Sequence, residues 1–441
     1  MKPGVAICAV VAVIAVAVVA VCGVWLLTDS PSYVYAARTI SQGGIDMSRT
    51  PLYPLLIWFA AWVSGADFSA LDTAPAGEFF ANPMQMQGMF GAMFYVVVGV
   101  QLVLMVLSVA CFYRLAGSLL RSLKAVCVLT LVYAVLCLAM NWHRTIMTES
   151  LAVSGMVFWA YFALQTLRRD GGQVFPAVML GVMTILLIAL RPSFLFLPIV
   201  LLLMALRLLF TRKRVAAVVC LVGVGATAAC VLAYMQAFRS NFGVRALTDV
   251  SIANRYFDAR DFELLQPDEV SNSWLREYLD YALAAYPEIG YDVERDPTQS
   301  GQDLFGEFSW VKKNIGLAQV NAEVDAALAR HRGEWLRKLV ATHFLNKHFF
   351  DSYRNYPTRT LLHSVMEMGL LAAFIWLPLF VGLVLLLRRR LRPSGVWLWL
   401  LTAGGALVVV LGAPNDYLRL MAPVYPMVML LLAAMVPRSR A

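Results

Sequence analysis

The chain has 441 residues, of which 60% are hydrophobic and 14% are charged, and its mean hydropathy is +0.70. Soluble globular domains contain about 45–50% apolar residues, so this composition excludes a water-soluble globule and indicates a polytopic membrane protein. The net charge of +9 does not indicate a nucleic-acid-binding protein, because the basic residues follow the pattern of membrane topology described below.

The cysteines all lie inside apolar runs, where a thiol usually behaves as a small hydrophobic side chain. Neither a disulfide framework nor the spacing of a zinc site is present in the sequence, and the histidines are scattered. We therefore predict neither a metal site nor a cofactor. The seven cysteines are Cys8, Cys22, Cys111, Cys127, Cys137, Cys220 and Cys230.

Apolar runs of membrane length, about 17 to 25 residues, predict an all-α polytopic bundle of about ten transmembrane helices. The run 51–63 is too short to cross a bilayer and suits an interfacial or re-entrant helix better. The predicted spans are 5–27, 92–113, 124–140, 149–167, 174–190, 193–210, 215–235, 361–387, 396–413 and 420–436.

Basic clusters between these spans all fall on one side if the run 51–63 does not cross, and the only acid on that side is Asp170. This positive-inside pattern predicts cytoplasmic N and C termini. The predicted organisation is an N-terminal transmembrane module (1–235) with a first outer loop (28–91), an extracytoplasmic, mostly helical domain (236–360), and a C-terminal three-helix block (361–441).

The predicted extracytoplasmic domain has aromatic-rich loops around Tyr256, Trp274, Tyr278 and Tyr286, and one amphipathic helix from about Leu317 to Phe350. The domain contains no cysteine and no Asn-x-Ser/Thr site. These absences favour a bacterial inner membrane over a secretory-pathway membrane.

Charged residues at the outer ends of helices are not required by the positive-inside rule, so each suggests a function. Asp29 directly follows the first span and precedes Ser30 and Pro31, which is also a helix-start pattern in which Asp29 or Ser30 caps the helix. Arg49, Arg191 and Arg419 occupy the same predicted membrane face. A guanidinium suits a lipid phosphate, either of a specific ligand or of ordinary phospholipid headgroups.

The short turn 141–149 brings His143, Arg144 and Glu149 to the same predicted face. Glu149 begins a span, so an acid near the positive end of the helix dipole is one sufficient explanation for it. The pairing of His143 with Arg144 is more informative.

The order of these motifs resembles the C-type (GT-C) membrane glycosyltransferases, which include aminoarabinose transferases and protein O-mannosyltransferases. The tightest similarity lies in the first loop. The motifs are Asp29-Ser-Pro-Ser-Tyr33-x-x-x-Ala37, Arg49-Thr-Pro-Leu-Tyr-Pro, Met147-Thr-Glu149-Ser, Leu190-Arg191-Pro-Ser and Ala329-Arg-His-Arg-Gly-Glu-Trp-Leu336.

The resemblance implies an enzyme that moves a sugar from a polyprenyl phosphate to a hydroxyl of a lipid, glycan or protein. Asp29 maps onto the catalytic acid of the family and would act as general base, with inversion at the anomeric carbon. The free pKa of an aspartate is about 3.9, so burial near Glu149 or another acid would improve it as a base. The candidate substrate-binding residues are Tyr33, Arg49, His143, Arg144, Glu149, Arg191 and Arg419.

Two departures from the family pattern refine the expectation. An Asp-x-Asp pair is absent at Asp29, so we expect no metal requirement. A large C-terminal domain is also absent, which favours a monosaccharide donor.

Two other functions remain open from the sequence. An O-antigen-ligase-like transferase would move a whole glycan from a polyprenyl diphosphate and would use Arg330, His331 and Arg332, or Lys347 and His348, although these residues also suit a solvated helix face. A transporter or lipid flippase is less favoured, because the spans carry almost no charge and no internal repeat is visible.

Overall fold

The computed structural model describes residues 3–27, 29–73, 76–167, 174–285, 304–345, 375–412 and 421–436. Within these ranges the regular structure is helical, apart from one isolated β-bridge between Trp25 and Thr145. The prediction of an all-α protein is confirmed for this portion of the chain. The chain divides into two compact units: residues 1–230, 368–409 and 418–441 form unit 1, and residues 231–367 and 410–417 form unit 2.

The α-helices of the N-terminal segment are α1 Pro3–Cys22, α2 Ser30–Ser41, α3 Leu52–Ser64, α4 Ala76–Ala81, α5 Gln85–Leu119, α6 Leu123–Ala139, α7 Glu149–Leu167, α8 Val174–Leu190, α9 Leu197–Phe210 and α10 Arg214–Phe242. The next group is α11 Val250–Asp261, α12 Ser273–Ala285, α13 Leu304–Ile315, α14 Leu317–Arg330 and α15 Arg332–Leu345. The last three are α16 Leu377–Leu387, α17 Pro393–Gly412 and α18 Tyr425–Met435. Short 3₁₀ helices cover Phe68–Thr73, Trp142–Arg144, Pro192–Phe194 and Pro267–Glu269.

Several described helices are long and apolar enough to cross a membrane. Five segments meet this criterion by length and composition, namely α1, α5, α7, α10 and the segment Pro192–Phe210. Six other apolar helices are shorter, and α3 is one of them. Since α3 has 13 residues and rises ~20 Å at 1.5 Å per residue, it is too short for a hydrocarbon core of about 30 Å.

Helix α5 is the central element of unit 1, because it packs against α1, α3, α6, α7 and α18. Its 35 residues would extend ~52 Å as a straight helix, and the backbone departs from helical geometry at Phe90. Buried polar contacts help to align its neighbours: Ser108 of α5 shares a 2.8 Å hydrogen bond with the hydroxyl of Tyr133 in α6. The Tyr133 ring also stacks on Phe112.

Helices α7 and α8 form the most extensive helix pair of unit 1. The Trp159 indole N–H donates to the hydroxyl of Thr184 at 2.9 Å, so the only polar atom of a fully buried indole is satisfied. On another side of α8, Gly181 faces Gly223 of α10 so closely that a Cβ on Gly181 would lie 3.2 Å from the Gly223 Cα. Small residues allow this approach, as is common between membrane helices.

Unit 2 is a small helical assembly in which α11 packs against α13, α14 and α15. Its interior contains an ion pair between Arg260 and Glu307, and the Tyr256 hydroxyl donates to Glu307 at 2.9 Å. The predicted aromatic-rich loops are wrong for three of the four residues: Tyr256 lies in α11, and Trp274 and Tyr278 lie in α12. The fourth, Tyr286, is outside the described residues.

The single predicted helix from Leu317 to Phe350 is also wrong, because α14 ends at Arg330 and α15 begins at Arg332. The break coincides with side chains that are held from outside the helix: Arg330 and His331 both bond the Glu269 carboxylate, at 3.1 and 2.9 Å. Residues 346–350 of the predicted helix lie outside the described ranges.

The glycine contact between α8 and α10 gives a stability prediction. Gly181→Leu should destabilise the protein by about 1–3 kcal/mol, the usual cost of overpacking, because the added side chain meets backbone rather than a flexible side chain. Thermal unfolding of the purified protein in detergent measures this. Gly225→Leu is the matched control, since Gly225 lies on the partner helix α10 two residues after Gly223 and has open space around it. An unchanged melting temperature for Gly181→Leu would contradict the packing.

Candidate active site

Asp29 occupies the N-cap position of α2, but its side chain does not cap the helix. The carboxylate instead accepts a hydrogen bond from Nη2 of Arg49, with 3.1 Å between Nη2 and Oδ1. Ser30 does not cap either, because its hydroxyl accepts from the Leu27 N–H and donates to the Ile146 carbonyl. Side-chain capping therefore does not explain the acid at position 29, and the carboxylate remains about one-third exposed.

Arg49 is fixed by several independent contacts. Its Nε–H donates to the Ser32 hydroxyl at 2.8 Å, and Nη1 lies 3.4 Å from the Tyr33 hydroxyl. The guanidinium carbon also lies 4.4 Å from the centre of the Tyr33 ring, a cation–π contact. Asp46 holds the backbone upstream by accepting from the N–H of Arg49 at 2.7 Å. The guanidinium is thus pre-positioned beside the Asp29 carboxylate.

A second ion pair joins Glu149, the first residue of α7, to Arg191, which follows α8. Nη2 of Arg191 lies 2.9 Å from Oε1 of Glu149, and the Glu149 side chain is fully buried while that of Arg191 is 12% exposed. Burial removes the hydration of both charges, and each charge is compensated by the other. Removing either residue would leave an uncompensated charge in the interior, which is strongly destabilising. The ion pairs join Asp29 to Arg49 and Glu149 to Arg191. The expectation that Glu149 assists Asp29 stays a prediction.

Both ion pairs lie at the same end of unit 1. The Thr50 hydroxyl, next to Arg49, donates to the carbonyl of Leu190 at 2.8 Å, and Leu190 directly precedes Arg191. The Ser30 hydroxyl, next to Asp29, donates to the carbonyl of Ile146 at 3.0 Å, near the start of α7. Residues that are more than one hundred positions apart in sequence are therefore joined around these charges.

Tyr53 and Gln101 are two buried residues that connect the pairs and that the sequence analysis missed. The Tyr53 ring meets the Tyr33 ring edge-on at 5.0 Å, and its hydroxyl donates to Oε1 of Gln101 at 2.8 Å. Burial, followed by the neighbouring Tyr33 and Glu149, raises the pKa of Tyr53 well above its ordinary value, so the phenol stays neutral. The feature of the sequence that could have indicated this link is Gln101, a lone amide side chain within an apolar run.

The Arg144 guanidinium makes structural hydrogen bonds within the protein. Its Nη1 donates to the carbonyls of Cys22 and Gly23 at 3.2 and 3.3 Å, and its Nε donates to the Asn141 side chain at 3.1 Å. The guanidinium also lies 5.2 Å from the centre of the Trp25 ring. Arg144 thus ties the end of α1 to the turn before α7, and the sequence prediction that it binds substrate is not supported by these contacts.

His143 is 1% exposed. Its ring nitrogens make no hydrogen bond of good geometry with the residues that the structure describes, although the Cys137 backbone lies close enough to favour the protonated ring. Burial is the larger effect, and it lowers the pKa of His143 below its ordinary value. The imidazole is therefore neutral near pH 7.

Of the predicted site residues, the structure brings together Asp29, Tyr33, Arg49, Glu149 and Arg191. Arg419 lies outside the described residues. No group of three or more potential metal ligands occurs in the described portion of the chain.

Comparisons with known proteins add no relative: no protein-family model, no curated protein and no solved structure matches this chain.

The buried pair gives a prediction on stability. Arg191→Met should cost about 3–5 kcal/mol, because it leaves the buried Glu149 carboxylate without its guanidinium. The double variant Glu149→Gln/Arg191→Met should recover most of this loss. Urea or thermal unfolding in a fixed detergent measures both, and a double variant no more stable than Arg191→Met would show that the charge of Glu149 is not the cause.

His143 gives a prediction on pH dependence. Because its folded-state pKa is lowered, the unfolded chain binds more protons between that value and an unfolded pKa of about 6.5, so this residue makes stability fall as the pH falls through that window. His143→Gln should reduce the slope of melting temperature against pH between about pH 5 and 7. Identical slopes for the wild type and the variant would refute the assignment to His143.

Proposed function

We propose that this protein is an integral-membrane glycosyltransferase of the GT-C type, which moves a monosaccharide from a polyprenyl phosphate to a hydroxyl of a lipid, glycan or protein acceptor. The observation that carries the proposal is the Asp29 carboxylate, which is held beside the fixed guanidinium of Arg49 instead of capping α2. A carboxylate next to a phosphate-binding group is the minimum required for this transfer.

In the proposed reaction the acceptor hydroxyl gives its proton to the Asp29 carboxylate while its oxygen attacks the anomeric carbon. Attack comes from the face opposite the phosphate, so the configuration inverts. The bond between the anomeric carbon and the phosphate oxygen breaks, and its electron pair leaves with the polyprenyl phosphate. The products are the glycosylated acceptor and a polyprenyl phosphate monoester.

Arg49 supports both halves of this reaction. A guanidinium has five N–H donors in a planar fork, so it can hold a phosphate while it contacts the carboxylate. As negative charge develops on the leaving phosphate, that charge competes for Arg49, and the Asp29 carboxylate becomes a better proton acceptor. The cation–π contact with Tyr33 keeps the guanidinium plane fixed during this exchange.

In this proposal Arg191 binds the same phosphate. The supporting observation is that Thr50 joins the segment of Arg49 to the backbone next to Arg191. Within this proposal Glu149 sets the position of Arg191 and does not act as a second base. Arg419 remains a candidate phosphate ligand from the sequence alone.

The proposal includes a membrane orientation. We place the ion pairs on the extracytoplasmic side of a GT-C-like bundle of about ten spans, with both termini in the cytoplasm of a bacterium. Helices α2 and α3 would then lie at the outer surface of the inner membrane. The arginine clusters between the predicted spans support this orientation.

The O-antigen-ligase-like alternative draws less support from the structure. It relies on basic residues near position 331, and there Arg330 and His331 are both engaged by Glu269. These contacts stabilise unit 2 and leave fewer groups for a diphosphate.

The proposed base can be tested by Asp29→Asn in purified, reconstituted protein supplied with polyprenyl-phosphate monosaccharides and a lipid or glycan acceptor. We expect transfer to fall by a factor of at least about 100, since a positioned general base typically contributes 10²–10⁴-fold. The melting temperature should change little, because the carboxylate is partly exposed.

Glu78→Gln is the matched control, as Glu78 is an exposed acid in α4 of the same loop, and it should retain full transfer. Wild-type rates in Asp29→Asn would remove the proposed base.

A further inference from the structure

A cleft lies in the first predicted outer loop, between the C-terminal part of α2, the exposed face of α3 and the 3₁₀ helix Phe68–Thr73. Its volume is about 360 Å³, within the range of about 300–1,000 Å³ that is usual for small-molecule sites. Arg38 and Asp29 are nine residues apart on α2, which corresponds to ~13 Å along the helix axis. The cleft is therefore distinct from the ion pairs described above. Its side-chain lining includes Arg38, Gln42, Trp58, Trp62, Asp67 and Asp72.

Two tryptophans form the apolar wall of the cleft. Trp58 and Trp62 are one helical turn apart on α3, so they lie on the same face, and they are 44% and 74% exposed. A pair of indole faces offers flat apolar surface together with a hydrogen-bond donor at the ring edge. Such a wall suits a ligand that has both C–H faces and polar edges.

The polar part of the cleft lining is held in place by hydrogen bonds and an ion pair. Nη2 of Arg38 contacts both carboxylate oxygens of Asp72, at 2.8 and 3.1 Å. Asp67 accepts from the backbone N–H and the hydroxyl of Ser69, at 2.9 and 2.5 Å, and these bonds lower the pKa of the Asp67 carboxyl. Each carboxylate is thus oriented by a neighbour.

The turn that leads out of α3 creates the cleft. Gly65 has φ +68 and ends the helix in a left-handed conformation, and the next N–H, of Ala66, bonds the Ala61 carbonyl. This is the common glycine termination of a helix. It turns the chain back so that Asp67 and Asp72 line the same cleft as Arg38.

Charge decides which ligand class fits. The lining includes one guanidinium and two carboxylates, so the ionised groups carry a net negative charge and disfavour a phosphate or another anion. Planar carboxylate and guanidinium groups instead suit the paired hydroxyls of an uncharged ring. We infer that this cleft binds a neutral sugar ring of a glycan, with the ring face against Trp58 and Trp62 and its hydroxyls on Arg38, Asp67 and Asp72. This binding does not depend on the proposed transfer reaction.

Membrane insertion is the competing explanation for exposed tryptophans, since indoles are enriched at bilayer interfaces. Phe59 separates the two explanations. It is on the same helix, 48% exposed, and its ring centre is 6.0 Å from that of Trp62, but it does not line the cleft. Insertion would depend on Phe59 as much as on Trp62, whereas sugar binding would not.

The experiment uses the full chain in lipid nanodiscs on a printed array of neutral and anionic glycans, followed by calorimetric titration with the strongest neutral oligosaccharide. We expect saturable binding of a neutral glycan that inorganic phosphate does not displace. Trp62→Ala and Asp72→Asn should each weaken it at least about tenfold, and the matched control Phe59→Ala by no more than about twofold. Both Trp62 and Asp72 are largely exposed, so the folded state should survive both changes.

Three results would overturn the inference: binding of no glycan above background, a strongest ligand that is anionic, or equal weakening by Phe59→Ala and Trp62→Ala. Because binding is measured without a sugar donor, loss of glycan binding and loss of transfer in Asp29→Asn are separate results.

Discussion

The contact between the Arg49 guanidinium and the Asp29 carboxylate is the interaction on which the account of this protein depends. Asp29 directly precedes α2, and Arg49 lies two residues before Pro51, which precedes α3. Arg49 is held by Ser32 and Tyr33 through its side chain and by Asp46 through its backbone N–H, so the pair joins the start of α2 to the segment before α3. A partly exposed ion pair of this kind contributes little to stability. In the proposed function this fixed geometry serves phosphate binding and proton transfer.

A buried hydrogen-bond network next to the Asp29–Arg49 pair holds the surrounding backbone in one arrangement. Tyr53 and Gln101 form a buried polar link between α3 and α5, and Gln101 continues it by donating to the carbonyls of His143 and Thr145. Every bond in this link joins segments that are distant in sequence. Buried polar groups must be paired, because an unsatisfied one is costly, so the network specifies one arrangement of loop, turn and helix. The partly exposed Asp29 and Arg49 lie at the border of this rigid region.

Composition and charge patterning predicted the helical class, the non-spanning length of α3 and the helix start after Asp29, because these depend on local chain properties. The predictions failed where contacts between residues far apart in sequence determine the structure. The sequence could not show that Arg144 would be used by the carbonyls of Cys22 and Gly23, or that Glu149 would pair with Arg191. The helix predicted from Leu317 to Phe350 was also wrong, and its break coincides with contacts from Glu269, some sixty residues upstream, to Arg330 and His331. Gln101 was visible as a polar residue in an apolar run, but its partners were not.

We propose that Arg49 receives the phosphate of a polyprenyl donor while Asp29 stays within reach of the adjacent sugar. The most direct measurement is a cryo-electron microscopy structure of the protein in nanodiscs with a polyprenyl phosphate. The account predicts phosphate density within hydrogen-bond distance of the Arg49 guanidinium, at the end of unit 1 that also holds Arg191. Phosphate density at the opposite end of the helices, with the Asp29 carboxylate facing no cavity, would contradict it.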